Sequence, residues 1–280
     1  MLDIRYLSHI AFSYLISNLI CSLILKKGRS ELKLGKFLAE AGVGSRRHCK
    51  DLVLSGKVSI SGKIAESAGI QIDIENDLIE IDGKPISYSP NPEKIYILLN
   101  KLPGYLSACI DSRGVPTIMD LLPHTEERLF PVGRLDKDTE GLLIVTNDGD
   151  LVYKLTHPKH HVDKTYIAWV EGIPSEKSLE EIRNGIMIES GMTAPAVVEI
   201  VDCPDPKSQR TDIDKTTTCL KIVIHEGKKR QIKRMCLAIG HKVLKLRRIQ
   251  LGTINLGDLK PGKYRYLTQK EVESLKSISG

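Results

Sequence analysis

Between Pro131 and Val145 the chain reads PVGRLDKDTEGLLIV, and no other stretch restricts its fold as strongly. A short polar loop carrying Asp136 has Gly133 on one side and Gly141 on the other, and it opens at once into Leu142-Leu143-Ile144-Val145. A short apolar run bounded by a turn reads as a buried strand. So much fixed order is more than an ordinary surface loop needs. An aspartate in a Gly-flanked loop is otherwise a turn or capping residue, so the block alone leaves Asp136 open to a structural or a chemical role.

With 280 residues the chain is long enough for two domains, each with its own core. The net charge of +6 is unevenly spread: from Lys221 to Arg248 there are ten Lys or Arg against Glu226 alone. That segment carries +9 and leaves −3 for the rest. A concentrated basic segment fits a surface facing a polyanion, with a solvated basic face as the other reading. Cys21, Cys49, Cys109, Cys203, Cys219 and Cys236 show no CxxC spacing. Reduced thiols in the cytoplasm are expected, with neither a zinc site nor a disulfide framework. His157, His160 and His161 lie close together, but no Cys or acidic partner stands at ligand spacing, so no metal is expected.

Residues 1–30 do not match the rest. Ile10 to Leu25 is apolar with interspersed Ser and Asn. It is shorter than the roughly twenty residues of a spanning helix, and it lacks a basic start with a cleavage site. It reads as an apolar extension or as translated sequence upstream of the true start, and a membrane anchor stays open.

Residues 32–88 form a compact first unit. Leu34, Phe37, Leu38 and Ala41 repeat on one helix face, Gly42 and Gly44 stop that helix, and Ser45 caps a second one. Val58 with Ile60, and Ile79 with Ile81, alternate as short strands. Lys33 to Lys63 holds seven Lys or Arg and two acids, whereas Glu66 to Asp82 holds six acids and no base. Arg46 and Arg47 sit where the helix dipole disfavours cations, which makes sense if that helix start docks a phosphate. Ser87 to Glu93 reads as a linker and Pro204 to Asp214 as a mobile loop. Residues 94–276 form the second unit. Strands are predicted at Ile95–Leu99, Leu142–Thr146, Thr165–Val170, Ala196–Val201, Leu220–His225 and Val243–Leu246. Helices are predicted near Asp150–Leu155, Ser178–Asn184, Lys228–Ile239 and Gln269–Lys276. Many strands with few helices argue for an α+β fold with a mainly antiparallel, mixed sheet.

The stretch LKLGKFLAEAGVGSRRHCKDLVLSGKVSISGK resembles the alpha-L RNA-binding domain named after a small-subunit ribosomal protein. Behind it, GRLDKDTEGLL, Lys164-Thr165-Tyr166 and HEGKKRQIKRM follow in the order found in ribosomal RNA pseudouridine synthases, and the tail PGKYRYLT resembles that family's closing strand. The resemblance covers nearly all of residues 32–275. GMTAPA and IHEGKKRQIKRM are more similar to the large-subunit branch. The resemblance implies isomerisation of uridine to pseudouridine in ribosomal RNA or a ribosome assembly intermediate, by a cytoplasmic monomer without a cofactor. It implies that Asp136 is the catalytic aspartate, by attack on C1′ or by glycal formation. Tyr166 would stack on the extruded base and help remove the C5 proton. Lys233 would pair with Asp136, and a neighbouring cation favours a carboxylate's charged form. Lys229, four residues before Lys233, would share its helix face. Arg134 would contact RNA or fill the space left by the base. Lys33, Lys36, Arg46, Arg47, Lys57, Lys228, Lys229, Arg230 and Arg234 would bind RNA. A catalytically inactive RNA-binding assembly factor is the alternative, although such a protein need not keep an acid facing phosphates.

Overall fold

The computed structural model describes residues 31–88, 93–125, 127–203 and 217–278. The apolar N-terminal segment, most of the linker and the stretch Pro204–Asp214 therefore lie outside the described residues. The chain divides into two compact units between Pro92 and Glu93.

In the first unit, β1 (Glu31–Lys33) leads into α1 (Leu34–Glu40), and α2 (Arg46–Leu54) follows. The Ser45 side chain accepts a hydrogen bond from the His48 N–H, as the capping expectation required. β2 (Val58–Ile60), β3 (Lys63–Ile64), β5 (Ile79–Ile81) and β6 (Lys84–Pro85) form a four-stranded sheet, while β4 (Gln71–Asp73) pairs with β1. Leu34, Phe37, Leu38, Cys49, Val53, Val58, Ile72 and Ile79 make one small core. The alternation of Val58 and Ile60 with polar neighbours is that of a sheet buried on one face.

The second unit contains β7 (Tyr96–Lys101), β8 (Phe130–Pro131), β9 (Glu140–Thr146), α3 (Gly149–Thr156), β10 (Lys164–Glu171) and α4 (Glu176–Asn184). It continues through β11 (Met187–Ile188), β12 (Gly191–Met192), β13 (Val197–Val201), β14 (Thr217–Ile224), α5 (Gln231–Ala238) and β15 (Val243–Leu251). β16 (Ile254–Asn255), β17 (Tyr264–Tyr266) and α6 (Gln269–Ser277) close the chain. The main sheet runs β13-β14-β10-β15-β9-β7-β17. Its pairings are antiparallel except β15 with β9, where Arg247 and Arg248 lie parallel to Glu140 and Gly141.

Both faces of the central strands are covered. Ile97, Leu99, Leu143 and Val145 pack with α4 and α5 through Leu179, Ile182, Ile232 and Met235. Tyr96, Leu98, Leu142 and Ile144 pack with α3 and α6 through Leu151, Leu155, Val272 and Leu275. A strand buried on both faces has no polar side, so β7 and β9 read as continuous apolar runs. Among the described residues no helix is long and apolar enough to cross a membrane.

One expectation fails outright. Cys203 and Cys219 form a disulfide, with Cα atoms 5.3 Å apart. Their 16-residue separation gives no spacing signal, and only the pairing of β13 with β14 brings the two thiols together. Cys109 and Cys236 are free.

Candidate active site

The loop from Gly133 to Thr139 lies between two adjoining cavities of about 890 and 600 Å³, and Asp136 lines both. These volumes fall in the range of small-ligand sites. Asp136 is half-buried while Arg134 is exposed on the rim of the smaller cavity. Tyr166 lines that cavity too and is 8% exposed. It comes from β10, between Ile222 of β14 and Arg248 of β15. The two residues expected to act together are thus brought to one cavity.

Lys101 holds the loop in place. Its side chain is fully buried, and its ammonium donates to the carbonyls of Leu102 (3.0 Å), Asp136 (3.2 Å), Lys137 (3.2 Å) and Thr139 (2.8 Å). Burial pushes its pKa down to about 8, against the pull of Asp138, Asp136 and Glu140. Ser107 clasps the other end: its hydroxyl donates to the Leu135 carbonyl at 2.9 Å and accepts the Leu135 N–H at 3.0 Å. Neither residue emerged from the sequence. A lysine ending the apolar run of β7, just before Pro103-Gly104, was the available signal.

The rest of the block is fixed by β15. Glu140 pairs with Lys245 at 3.2 Å and Arg247 at 2.6 Å, and both cations lie over the Trp169 ring. Gly141 has φ +106°, and a Cβ there would lie 2.3 Å from the Arg248 carbonyl oxygen. The close approach of β9 to β15 therefore admits only glycine.

Lys233 lines the larger cavity with Asp136, but its ammonium pairs with Asp138 at 2.5 Å. The expected pairing with Asp136 is thus replaced by one with the acid two residues on. Burial works against the charge of Asp138, yet the hydrogen bond and charge of Lys233 outweigh it and hold that carboxyl below its ordinary range.

The helix expected from Lys228 begins at Gln231, with Arg230 before it in the left-handed region at φ 52°. Lys229 consequently lies outside α5 and does not share a helix face with Lys233. The cause is local. Gln231 accepts from the Lys228 N–H at 3.0 Å and donates to Glu226 at 2.7 Å, which closes a turn. Lys228 pairs with Glu226 at 2.9 Å and Arg234 pairs with Glu189, so both are held by protein acids. Lys229 and Arg230 are exposed on the cavity wall.

In the first unit Lys33, Arg46, Arg47 and Lys57 are exposed, and Lys36 pairs with Glu40 at 3.7 Å. Arg46 and Arg47 occupy the first turn of α2. His157 and His160 pack their rings against Tyr153, and His161 packs against His225.

Asp136 thus lines two adjoining cavities that also carry Lys and Arg side chains, and Tyr166 lines one of them. Residues 95–238 match the family model described as RNA pseudouridylate synthase, and residues 32–79 match the S4 domain. The chain is 40% identical over 247 residues to ribosomal large subunit pseudouridine synthase B of Bacillus subtilis, covering 88% of this chain and 96% of that one. It is 43% identical over 246 residues to an uncharacterized RNA pseudouridine synthase of Aquifex aeolicus, covering 88% and 94%. A crystal structure of a pseudouridylate synthase shares the fold with a TM-score of 0.60 at 32% identity, covering 87% of this chain and 99% of the other. The chain belongs to the RNA pseudouridine synthase family, with an S4 domain in front of the synthase domain.

Proposed function

We propose that this protein converts a specific uridine of ribosomal RNA, in the large subunit, to pseudouridine. The observation that carries the reading is the shared cavity of Asp136 and Tyr166, with the aspartate on a loop immobilised by Lys101. A rigid loop holds a nucleophile in near-attack geometry without an ordering cost at the moment of reaction. Asp136 acts on the ribose. Tyr166 stacks on the extruded uracil and assists loss of the C5 proton. Arg134, Lys229 and Arg230 on the cavity walls hold the backbone, with Lys233 stationed beside the loop through Asp138. Lys33, Lys36, Arg46, Arg47 and Lys57 bind flanking RNA, to which Lys228 and Arg234 add positive charge. The choice of the large subunit follows the Bacillus subtilis relative. In this reading the protein acts as a cytoplasmic monomer on ribosomal RNA or an assembly intermediate.

The test is a map of pseudouridines in ribosomal RNA from cells with and without the protein. Loss of one large-subunit site is expected. An unchanged map would remove the proposal.

A further inference from the structure

Arg248 is the one strongly buried cation of the catalytic cavity that the reaction as described leaves without a task. It is 2% exposed, yet it lines the smaller cavity together with Asp136, Tyr166 and Lys164. Its Nε donates to the Leu142 carbonyl at 2.8 Å. Its Nη2 is buried and has no hydrogen-bond partner among the described residues. A guanidinium stays charged at any working pH, and a buried charge without a partner is costly. No acid is paired with it among the described residues, and its near neighbour in charge is another cation. Lys164 donates to the Val162 and His225 carbonyls, at 2.7 and 3.0 Å. Burial first and Arg248 second push the Lys164 amine down to about 8. A fold that keeps two cations close together in its reaction cavity spends stability there.

Register says what the guanidinium faces. Arg248 lies directly opposite Tyr166 across the β10–β15 pair. Directly opposed residues project from the same face of a sheet, so the guanidinium accompanies the tyrosine that stacks on the base. The exposed rim cations Arg134, Lys229 and Arg230 are the ones that the proposed function assigns to the RNA backbone.

The reaction generates a matching anion. Whichever path Asp136 follows, the bond from C1′ to N1 breaks and its electron pair leaves with the base. The uracil then carries negative charge shared among N1, O2 and O4. When C5 bonds to C1′, that charge returns to Asp136: on the attack path the C1′–carboxylate bond breaks, and on the glycal path the carboxyl gives the proton it took from C2′ back to C2′. C5 then gives up its proton and N1 gains one. We infer that Arg248 is a catalytic residue that holds the detached uracil as an anion, by donating from its guanidinium to a uracil oxygen. This rests on the pseudouridine synthase reading and adds a residue to it. A preset donor aimed at developing charge stabilises the transition state more than the ground state.

The test uses the full-length protein and an rRNA fragment that the wild type converts. Arg248→Met is compared with Arg248→Lys, which keeps a charge and a donor for Leu142 and serves if the Met variant melts early. Single-turnover conversion by Arg248→Met is expected to fall about 100-fold or more, as on loss of an oxyanion donor. Arg248→Lys recovers part of the loss, because it keeps the charge and lacks the fork. RNA affinity and its salt slope stay at wild-type values. With 5-fluorouridine at the target, fluorine already draws charge from the base, so the deficit in consuming that nucleoside shrinks. A merely structural role would penalise both RNAs equally, and that result overturns the inference. So does unchanged turnover. So does a weakened affinity whose log–log salt slope falls by about 0.7, which marks a phosphate contact. If the wild type converts no rRNA fragment, the parent reading fails and this one with it; if only the variant comparison fails, the parent reading stands.

Discussion

Replacing Lys101 by Met would remove the support of the Asp136 loop with little change in volume. Four carbonyls then lose a charged donor, three of them within residues 136–139. Hydrogen bonds to charged groups contribute about 1.5–3 kcal/mol each; at the low end, four give about 6 kcal/mol. The ammonium's burial opposes this. A pKa lowered from 10.5 to about 8 corresponds to about 3 kcal/mol against the charged form. The net loss is about 3 kcal/mol, at the upper end of the cost of leaving buried polar groups without their donor. The substitution should lower the urea midpoint of the synthase unit accordingly and slow single-turnover conversion. The pH dependence has two opposed parts. Because the folded-state pKa is below the unfolded one, the unfolded chain binds more protons between pH 8 and 10.5, and this titration makes stability rise with pH there. Over the same window the neutral amine holds fewer carbonyls, so turnover falls as pH passes about 8. Lys164 titrates nearby, also at about 8. The difference between wild type and Lys101→Met isolates the Lys101 component. A variant with wild-type midpoint, turnover and alkaline profile would refute the assignment of Lys101 as the loop's support.

Two further outcomes follow from the geometry. Gly141→Ala would place a Cβ 2.3 Å from the Arg248 carbonyl oxygen at a backbone φ of +106°, so it should destabilise the synthase unit by several kcal/mol, read as a melting shift of more than about 5 °C. Charge reversal of Arg46 and Arg47, exposed at the start of α2, should weaken RNA binding and flatten its log–log salt slope by about 0.7 per lost contact while leaving saturated turnover unchanged; an unaltered slope would mean that these arginines do not face RNA.

What could be read from sequence was local. Ser45 caps its helix because one side chain three residues from an N–H is enough. The apolar runs of β7 and β9 announce burial on both faces. α3, α4 and α6 begin and end within two or three residues of their predicted limits, because their periodicity and caps are short-range signals. What could not be read was long-range. Lys101 looks like any lysine at a strand end until it meets carbonyls 35 to 38 residues away. β15 was foreseen only to Leu246, and its parallel pairing with β9, which explains Gly141 and buries Arg248, has no sequence signature. The Lys233 partner differs from the expected one because the ammonium meets Asp138, and periodicity does not choose between acids two residues apart. α5 starts late because Gln231 folds back on Lys228 and Glu226, a side-chain arrangement that composition does not reveal.

The central claim is that the Asp136 carboxylate performs the chemistry, and Asp136→Asn tests it most directly. The substitution keeps size and most hydrogen bonding but removes the ionisable, nucleophilic oxygen. Lys101 grips the loop through the Asp136 backbone carbonyl, which the substitution leaves in place. Single-turnover formation of pseudouridine in an rRNA fragment is measured beside a melting curve and an RNA-binding isotherm. Conversion should fall to background while melting stays at the wild-type value and binding holds or tightens, because a negative charge near phosphates is gone. A turn or cap aspartate would tolerate Asn with little penalty. Near-normal turnover by Asp136→Asn would contradict the mechanism proposed for this site.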